Sequence, residues 1–216
     1  MTDTETRSPA TPARRGRPRA FDREQALDRA MRSFWEHGYR DTSIVDLTAA
    51  TGVNAPSLYA AFGSKQELFR EAVDRYDRLA GAATEQALRD APSARAAVAA
   101  LLRSHADAYT DPANPRGCLV VLAAAEWTGD ADDAAYLARM REQTAVALRE
   151  RLARDVTAGD LPADAEVGLL ALYVDTLLAG LSLQARAGAS RATVQGVIDC
   201  AMAGWDACVS AGRRRA

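Results

Sequence analysis

From Asp22 onward the apolar positions recur at helical spacing. Ala26, Leu27, Ala30, Met31, Phe34 and Trp35 form one stripe, opened by Asp22 with Gln25 three residues on and closed by Gly38. Two short helices follow. Thr42 or Ser43 caps the first, which carries Ile44, Val45, Leu47 and Ala50 and stops at Gly52. The second starts near Asn54, takes Pro56 in its first turn and runs to about Phe62. Ser64 with Glu67 is a capping box for a helix from Lys65 to about Leu79. Five more helices are expected over 94–110, 117–128, 131–157, 163–187 and 191–210. Pro92, the 111–115 stretch, Gly129, Gly159 with Pro162, and Gly188 separate them. No strand pattern and no internal repeat is present, so the expected fold is all-α.

Two of these segments carry more apolar surface than one face needs. The helix after Pro162 is apolar nearly all round, and the last has a stripe including Val194, Val197, Ile198 and Trp205. Both stripes serve the chain's own core first. A helix pair of this kind also suits docking on a second copy, and Val197 and Trp205 are the candidate interface residues for a homodimer.

Composition agrees with helix. Ala occurs 48 times, Arg 26 times and Lys once, at Lys65, within 216 residues. Net charge is −2, so any basic function is local. Residues 6–65 hold ten basic and six acidic residues, whereas the remainder is acidic on balance. Nucleic-acid contact is therefore expected in the first third. Cys118, Cys200 and Cys208 stand in no metal-ligand spacing, so no metal or cofactor is expected. They read as small buried hydrophobes in a reducing cytoplasm. No run of 18 apolar residues and no signal-peptide core is present, and neither a membrane span nor secretion is expected.

The informative stretch is 42–65: helix, tight turn containing Gly52, helix. Ile44, Leu47, Val53, Leu58 and Phe62 supply an apolar seam, and Ala49 and Ala50 are small enough for close approach. This is a helix-turn-helix whose second helix enters a major groove by its N-terminal end. Ala55, Pro56 and Ser57 then face bases, while Tyr59 and Lys65 reach backbone phosphates.

The segment from Phe21 to about Tyr76 resembles the DNA-binding domain of the tetracycline-repressor (TetR) family. The resemblance rests on 34–39 (Phe-Trp-Glu-His-Gly-Tyr), Thr42-Ser43, Gly52-Val53, Ser57-Leu58-Tyr59 and 62–69 (Phe-Gly-Ser-Lys-Gln-Glu-Leu-Phe). Residues 180–186 are similar to a segment common in the penultimate helix of many members. The resemblance implies a homodimeric regulator, usually a repressor, that binds double-stranded palindromic operator DNA and is released by a small molecule. It places operator contacts on Thr42, Ser43, Ala55, Pro56, Ser57, Tyr59 and Lys65. Position 55 is often a longer polar residue in such proteins and is Ala here.

Residues 1–20 read as a disordered basic arm. Arg14, Arg15, Arg17 and Arg19 have two readings: a solvated leader, or an arm in a narrow minor groove, since Arg-Gly-Arg-Pro is similar to an AT-hook core. The expected organisation is therefore arm 1–20, helix-turn-helix domain 21–65, connecting helix 66–80, and ligand-binding and dimerisation domain 81–216. His105, Tyr109, Trp127, Met140, Tyr173 and Leu177 are candidates for a cavity, polar tips among apolar neighbours. The competing reading for such stripes is plain core. A helical enzyme and a protein-interaction oligomer are the other function classes. The first lacks a Glu-x-x-His motif, a Gly-x-Ser-x-Gly motif and a phosphate loop, so no catalytic residue is assigned.

Overall fold

The computed structural model describes residues 21–211 apart from Thr128. The arginines of the arm, Arg14 to Arg19, lie outside the described residues. Among those described, every regular element is a helix. They are α1 (Arg23–Asp41), α2 (Ile44–Thr51), α3 (Ala55–Phe62), α4 (Lys65–Asp90), α5 (Ala94–Thr110), α6 (Leu119–Glu126), α7 (Ala131–Ala158), α8 (Val167–Arg186), α9 (Arg191–Ala203) and α10 (Trp205–Ala211).

The caps follow from local chemistry. Asp22, Ser43, Asn54, Ser64, Ser93, Asp130 and Ser190 each accept a backbone N–H from three residues on. Gly52 closes α2 in the left-handed region, φ 72°, which makes the turn of the helix-turn-helix. Two expected ends differ. α4 continues past Leu79 to Asp90, because Gly81 sits among good helix formers and Thr84 and Leu88 still have a core to face. The last expected helix is broken at Gly204 into α9 and α10.

The chain builds two cores that share α4 as a spine. The first joins α1, α2 and α3 to the first half of α4, and it also takes in α6 and Leu137 of α7. The second joins the end of α4 to α5, the later part of α7, α8, α9 and α10. Cys118 touches both. The reading head is therefore not separate at residue 65. Trp35 Nε1 donates to the Gly117 carbonyl at 3.2 Å, Arg32 reaches Ala113, and Arg186 reaches Glu36. Gly117 has φ 85°, and a Cβ there would lie 2.9 Å from the Ser182 carbonyl, so this junction requires glycine.

The far end of α4 is held by a buried charge. Arg151 of α7 pairs with Asp155 at 2.9 Å and donates to the carbonyls of Leu88 and Ala91. It thereby satisfies backbone acceptors that the helix end leaves open. α8 is long and apolar enough to cross a membrane by length and hydropathy alone. One side of it packs against α5, α7 and α9. Trp205, expected at an interface, is 2% exposed and belongs to the subunit's own core. Three residues on from Met202 and seven from Ile198, both buried, it continues the inner face of that stripe. Val197 is 44% exposed, with Leu169, Leu172 and Leu183 of α8 also open to solvent.

Candidate nucleic-acid interface and ligand cavity

α3 is held by Leu58 and Phe62, both buried, against a seam that includes Leu47 and Val53. Ile44 is only partly buried, and Ala49 and Ala50 face solvent, so those two alanines do not set the approach of the helices. With its apolar side committed, α3 presents Pro56, Tyr59 and Ala60 outward, with Ala55 and Ser57 partly exposed. Tyr59 is 46% exposed and does not pack between helices. The side chain of Asn54 caps α3 by accepting the Ser57 N–H at 2.9 Å, leaving the Ser57 hydroxyl for an outside partner.

The N-termini of α2 and α4 flank α3 in sequence. Ser43 and Asp46 form a closed capping box: the Ser43 hydroxyl and N–H both reach Asp46 Oδ2, at 2.6 and 2.8 Å. Those bonds hold the Asp46 carboxyl below its usual range. Lys65 begins α4 with its ammonium over the Tyr39 ring, 4.5 Å from the centroid. Partial burial pushes it below the ordinary lysine value, and Asp41 and Asp46 pull the other way. A desolvated cation gains more from a phosphate than a fully hydrated one does. Tyr39 was not singled out as a site residue in the sequence; only its place in the Gly-Tyr pair pointed to it.

Thr42 is placed differently from expectation. It is completely buried, and its hydroxyl donates to the Gly38 carbonyl at 2.7 Å. Its role is to close the turn between α1 and α2, since Gly38 leaves the helical region there (φ 78°, ψ 167°) and its carbonyl needs a donor. Thr42 offers its side chain to nothing outside.

A second feature lies between α4, α5, α6, α7 and α8: a cavity of about 60 Å³. His105, Tyr109 and Met140 line it as expected, joined by Tyr76, Cys118 and Asp175. Tyr173, Leu177 and Trp127 do not. Tyr173 stands by Cys208 and Leu177 packs on the second core. Trp127 stacks on Phe69 and lines an open pocket of about 450 Å³ beside Lys65. For Tyr173 and Leu177 the reason is rotational, since a residue or two along a helix turns a side chain to another neighbour; Trp127 stands past the end of α6, where the chain is already extended. Asp175 is paired with Arg141 at 3.6 Å, whereas the Asp77 carboxyl, which also lines the cavity, is pushed above its usual range by burial and by Asp74.

His105 Nδ1 lies 3.1 Å from the Leu101 carbonyl, which only accepts, so Nδ1 carries the proton. Nε2 is left as an acceptor facing the Thr84 hydroxyl at 3.4 Å. Burial holds His105 below its ordinary value and keeps it neutral. Burial pushes the Cys118 thiol up, against the pull of the Tyr76 and Tyr109 hydroxyls. Among the described residues, no three His, Cys, Asp or Glu side chains come together as a metal site.

Comparison with known proteins decides the family. Residues 26–72 match the bacterial regulatory proteins of the tetR family, and residues 94–200 match the tetracyclin repressor-like C-terminal domain. The chain belongs to the TetR family. It is a DNA-binding transcriptional regulator and not an enzyme. This TetR-family chain is 38% identical over 181 residues to the HTH-type transcriptional repressor ComR of Escherichia coli K12, covering 82% of this chain and 85% of that one. It is 31% identical to the repressor BdcR of the same organism, covering 81% and 84%. Among solved structures it resembles a cysteine-substituted TetR-family regulator CifR complexed with a 26-base-pair double-strand operator DNA. That match has 44% identity, a TM-score of 0.82, and covers 88% of this chain and all of the other.

Proposed function

We propose that this protein is a cytoplasmic repressor that binds a palindromic operator as a homodimer and leaves it when a small molecule enters the α4–α8 cavity. The observation that carries this reading is the outward face of α3. Pro56, Ser57 and Tyr59 stand clear of the chain's own packing, with the exposed start of α2, ordered by the Ser43–Asp46 capping box, and Lys65 at the start of α4 on either side in sequence. Ser57 reads a base edge with its hydroxyl; Pro56 and Ala55 make apolar contact, with thymine methyls as fitting partners. Tyr59, Lys65 and the N–H groups of Ile44 and Val45 in the first turn of α2 hold phosphates, while Ser43 orders that turn through its bonds to Asp46. The similarity to operator-bound CifR and to the named repressors ComR and BdcR supports the same direction of action. Thr42 and Trp205 are not part of this assignment.

The exposed Leu169, Leu172, Leu183 and Val197 support pairing through α8 and α9. A dimer places two recognition helices about 34–36 Å apart, one turn of the duplex, or a multiple of it. The cavity is smaller than a drug-sized ligand, so an effector must part α4 from its neighbours to enter.

The test is binding to a duplex from the protein's own upstream region, followed by anisotropy over a range of salt. Lys65→Ala should weaken all sequences alike and reduce the salt slope by roughly one unit. Ser57→Ala should alter preference at one base pair, by about 1–3 kcal/mol. Salt-independent binding, or none to any upstream duplex, would refute the reading.

A further inference from the structure

An open space of about 450 Å³ lies where the end of α1 and the start of α4 meet the end of α6. It admits a drug-sized molecule as it stands, whereas the α4–α8 cavity does not. Its aromatic wall is already set. Trp127 stacks on the fully buried Phe69 with 12° between the ring planes, and its Nε1 donates to the Asp130 carbonyl at 3.1 Å. Tyr39 meets Trp127 with ring centroids 4.9 Å apart, and Ala123 adds a small apolar surface. Rings held in place like this bind a flat partner with little further loss of freedom.

The charges at this pocket select the partner. The Lys65 ammonium already rests on the Tyr39 face, so a cationic visitor there is repelled. That ammonium has three donors, and among the described residues no carboxylate pairs with it; Asp41 and Asp46 act on it from farther off. An anion answers this need. Glu126 lines the same pocket, is exposed, and forms no ion pair among the described residues. Its carboxylate lies 3.3 Å from where a Cβ of residue 38 would stand, a place that Gly38 leaves open. Glu126 repels a second anionic group and accepts from a hydrogen-bond donor.

We propose that this pocket is a second small-molecule site, for a planar aromatic monoanion with a hydrogen-bond donor at its far end, and that its occupant competes with the operator for Lys65. The carboxylate accepts from the Lys65 ammonium, the ring lies against Trp127, and the far donor meets Glu126. A lysine whose charge is answered by a ligand carboxylate gains little from a DNA phosphate, so the competition is direct and needs no change of fold. The site does not depend on the α4–α8 cavity taking an effector; the competition rests on the reading that Lys65 holds a phosphate.

Calorimetry on the full chain with 6-hydroxy-2-naphthoate tests the site. The matching carboxamide keeps the shape without the charge, and 2,6-naphthalenedicarboxylate places a second charge at the far end. The hydroxynaphthoate should bind with a Kd below about 1 mM, and the other two roughly tenfold more weakly or worse. Lys65→Met should cost the hydroxynaphthoate about tenfold, and Glu126→Gln should let the dicarboxylate bind as well as the hydroxynaphthoate does. Saturating hydroxynaphthoate should weaken the upstream duplex by about tenfold and lower its salt slope by roughly one unit, and should do neither in Lys65→Met. The duplex should weaken the hydroxynaphthoate by the same factor. No binding of the hydroxynaphthoate, a carboxamide that binds as tightly, or undiminished binding by Lys65→Met overturns the site. Binding that follows the variants while operator affinity stays unchanged overturns the competition. Failure of the phosphate reading is told apart without any ligand: Lys65→Met then keeps the wild-type salt slope on DNA while still losing the hydroxynaphthoate.

Discussion

Arg151→Ala offers a test of how the regulator holds its spine. The side chains of Arg151 and Asp155 are 8% and 11% exposed, so the carboxylate would be left nearly dry and unpaired. The carbonyls of Leu88 and Ala91, at the end of α4, would lose their donor at the same time. Removing one partner of a buried pair costs about 3–5 kcal/mol, because the remaining charge keeps its desolvation penalty. For a chain of this size about 2–4 °C of melting temperature goes with each kcal/mol, so the expected fall is roughly 6–20 °C. Calorimetry on wild type and variant at one protein concentration measures it. Replacing both partners, Arg151→Met with Asp155→Leu, should recover the part of the loss that comes from the unpaired carboxylate, while the Leu88 and Ala91 carbonyls stay without their donor. A fall of about 1 °C or less for the single variant would refute the reasoning, because surface pairs are worth that little. A double variant no better than the single one would show that Arg151 acts on α4 through its carbonyl bonds and not through Asp155.

The other predictions concern the corrected and the untested residues. Thr42→Val should destabilise by about 1–3 kcal/mol in urea melts while leaving base preference unchanged, since it removes the donor to the part-buried Gly38 carbonyl; a shifted base preference would return Thr42 to the operator surface. Val197→Glu should give monomers in sedimentation at micromolar concentration and weaken operator binding, whereas Trp205→Ala should destabilise the subunit itself by about 3–5 kcal/mol, read as a lower melting temperature. His105 has its folded pKa lowered by burial, so the unfolded chain binds its proton more tightly. Its contribution is complete above the ordinary value of 6.5 and is lost as pH falls from there toward the folded value, with a slope of up to about 1.4 kcal/mol per pH unit. His105→Gln should flatten that part of the stability profile, and an unchanged slope would mean that His105 is not its source.

What was legible in the linear chain is what local chemistry decides. Side-chain caps three residues before an N–H, glycines at helix ends and apolar spacing act within one or two turns. They placed α1, α2, α3, the start of α4 and the outward residues Pro56, Ser57 and Tyr59. The same locality misled at two ends. An Ala-rich run around Gly81 has no stop of its own, so the length of α4 depended on Arg151, some 60 residues away. Within the last stripe Trp205 lies in line with the buried Ile198 and Met202 whereas Val197 lies off that line, and spacing alone did not say which side faces the core. Thr42 carries the residue type of a phosphate contact, and only the position of the Gly38 carbonyl turned its hydroxyl inward. The cavity shows the division most plainly. His105, Tyr109 and Met140 share it because five helices converge there; Tyr173 and Leu177 miss it by their rotation about the axis of α8, and Trp127 because α6 ends before it. Helical spacing says which residues share a face of one helix; which faces meet is set by packing over long sequence separation, and tertiary structure alone decided that.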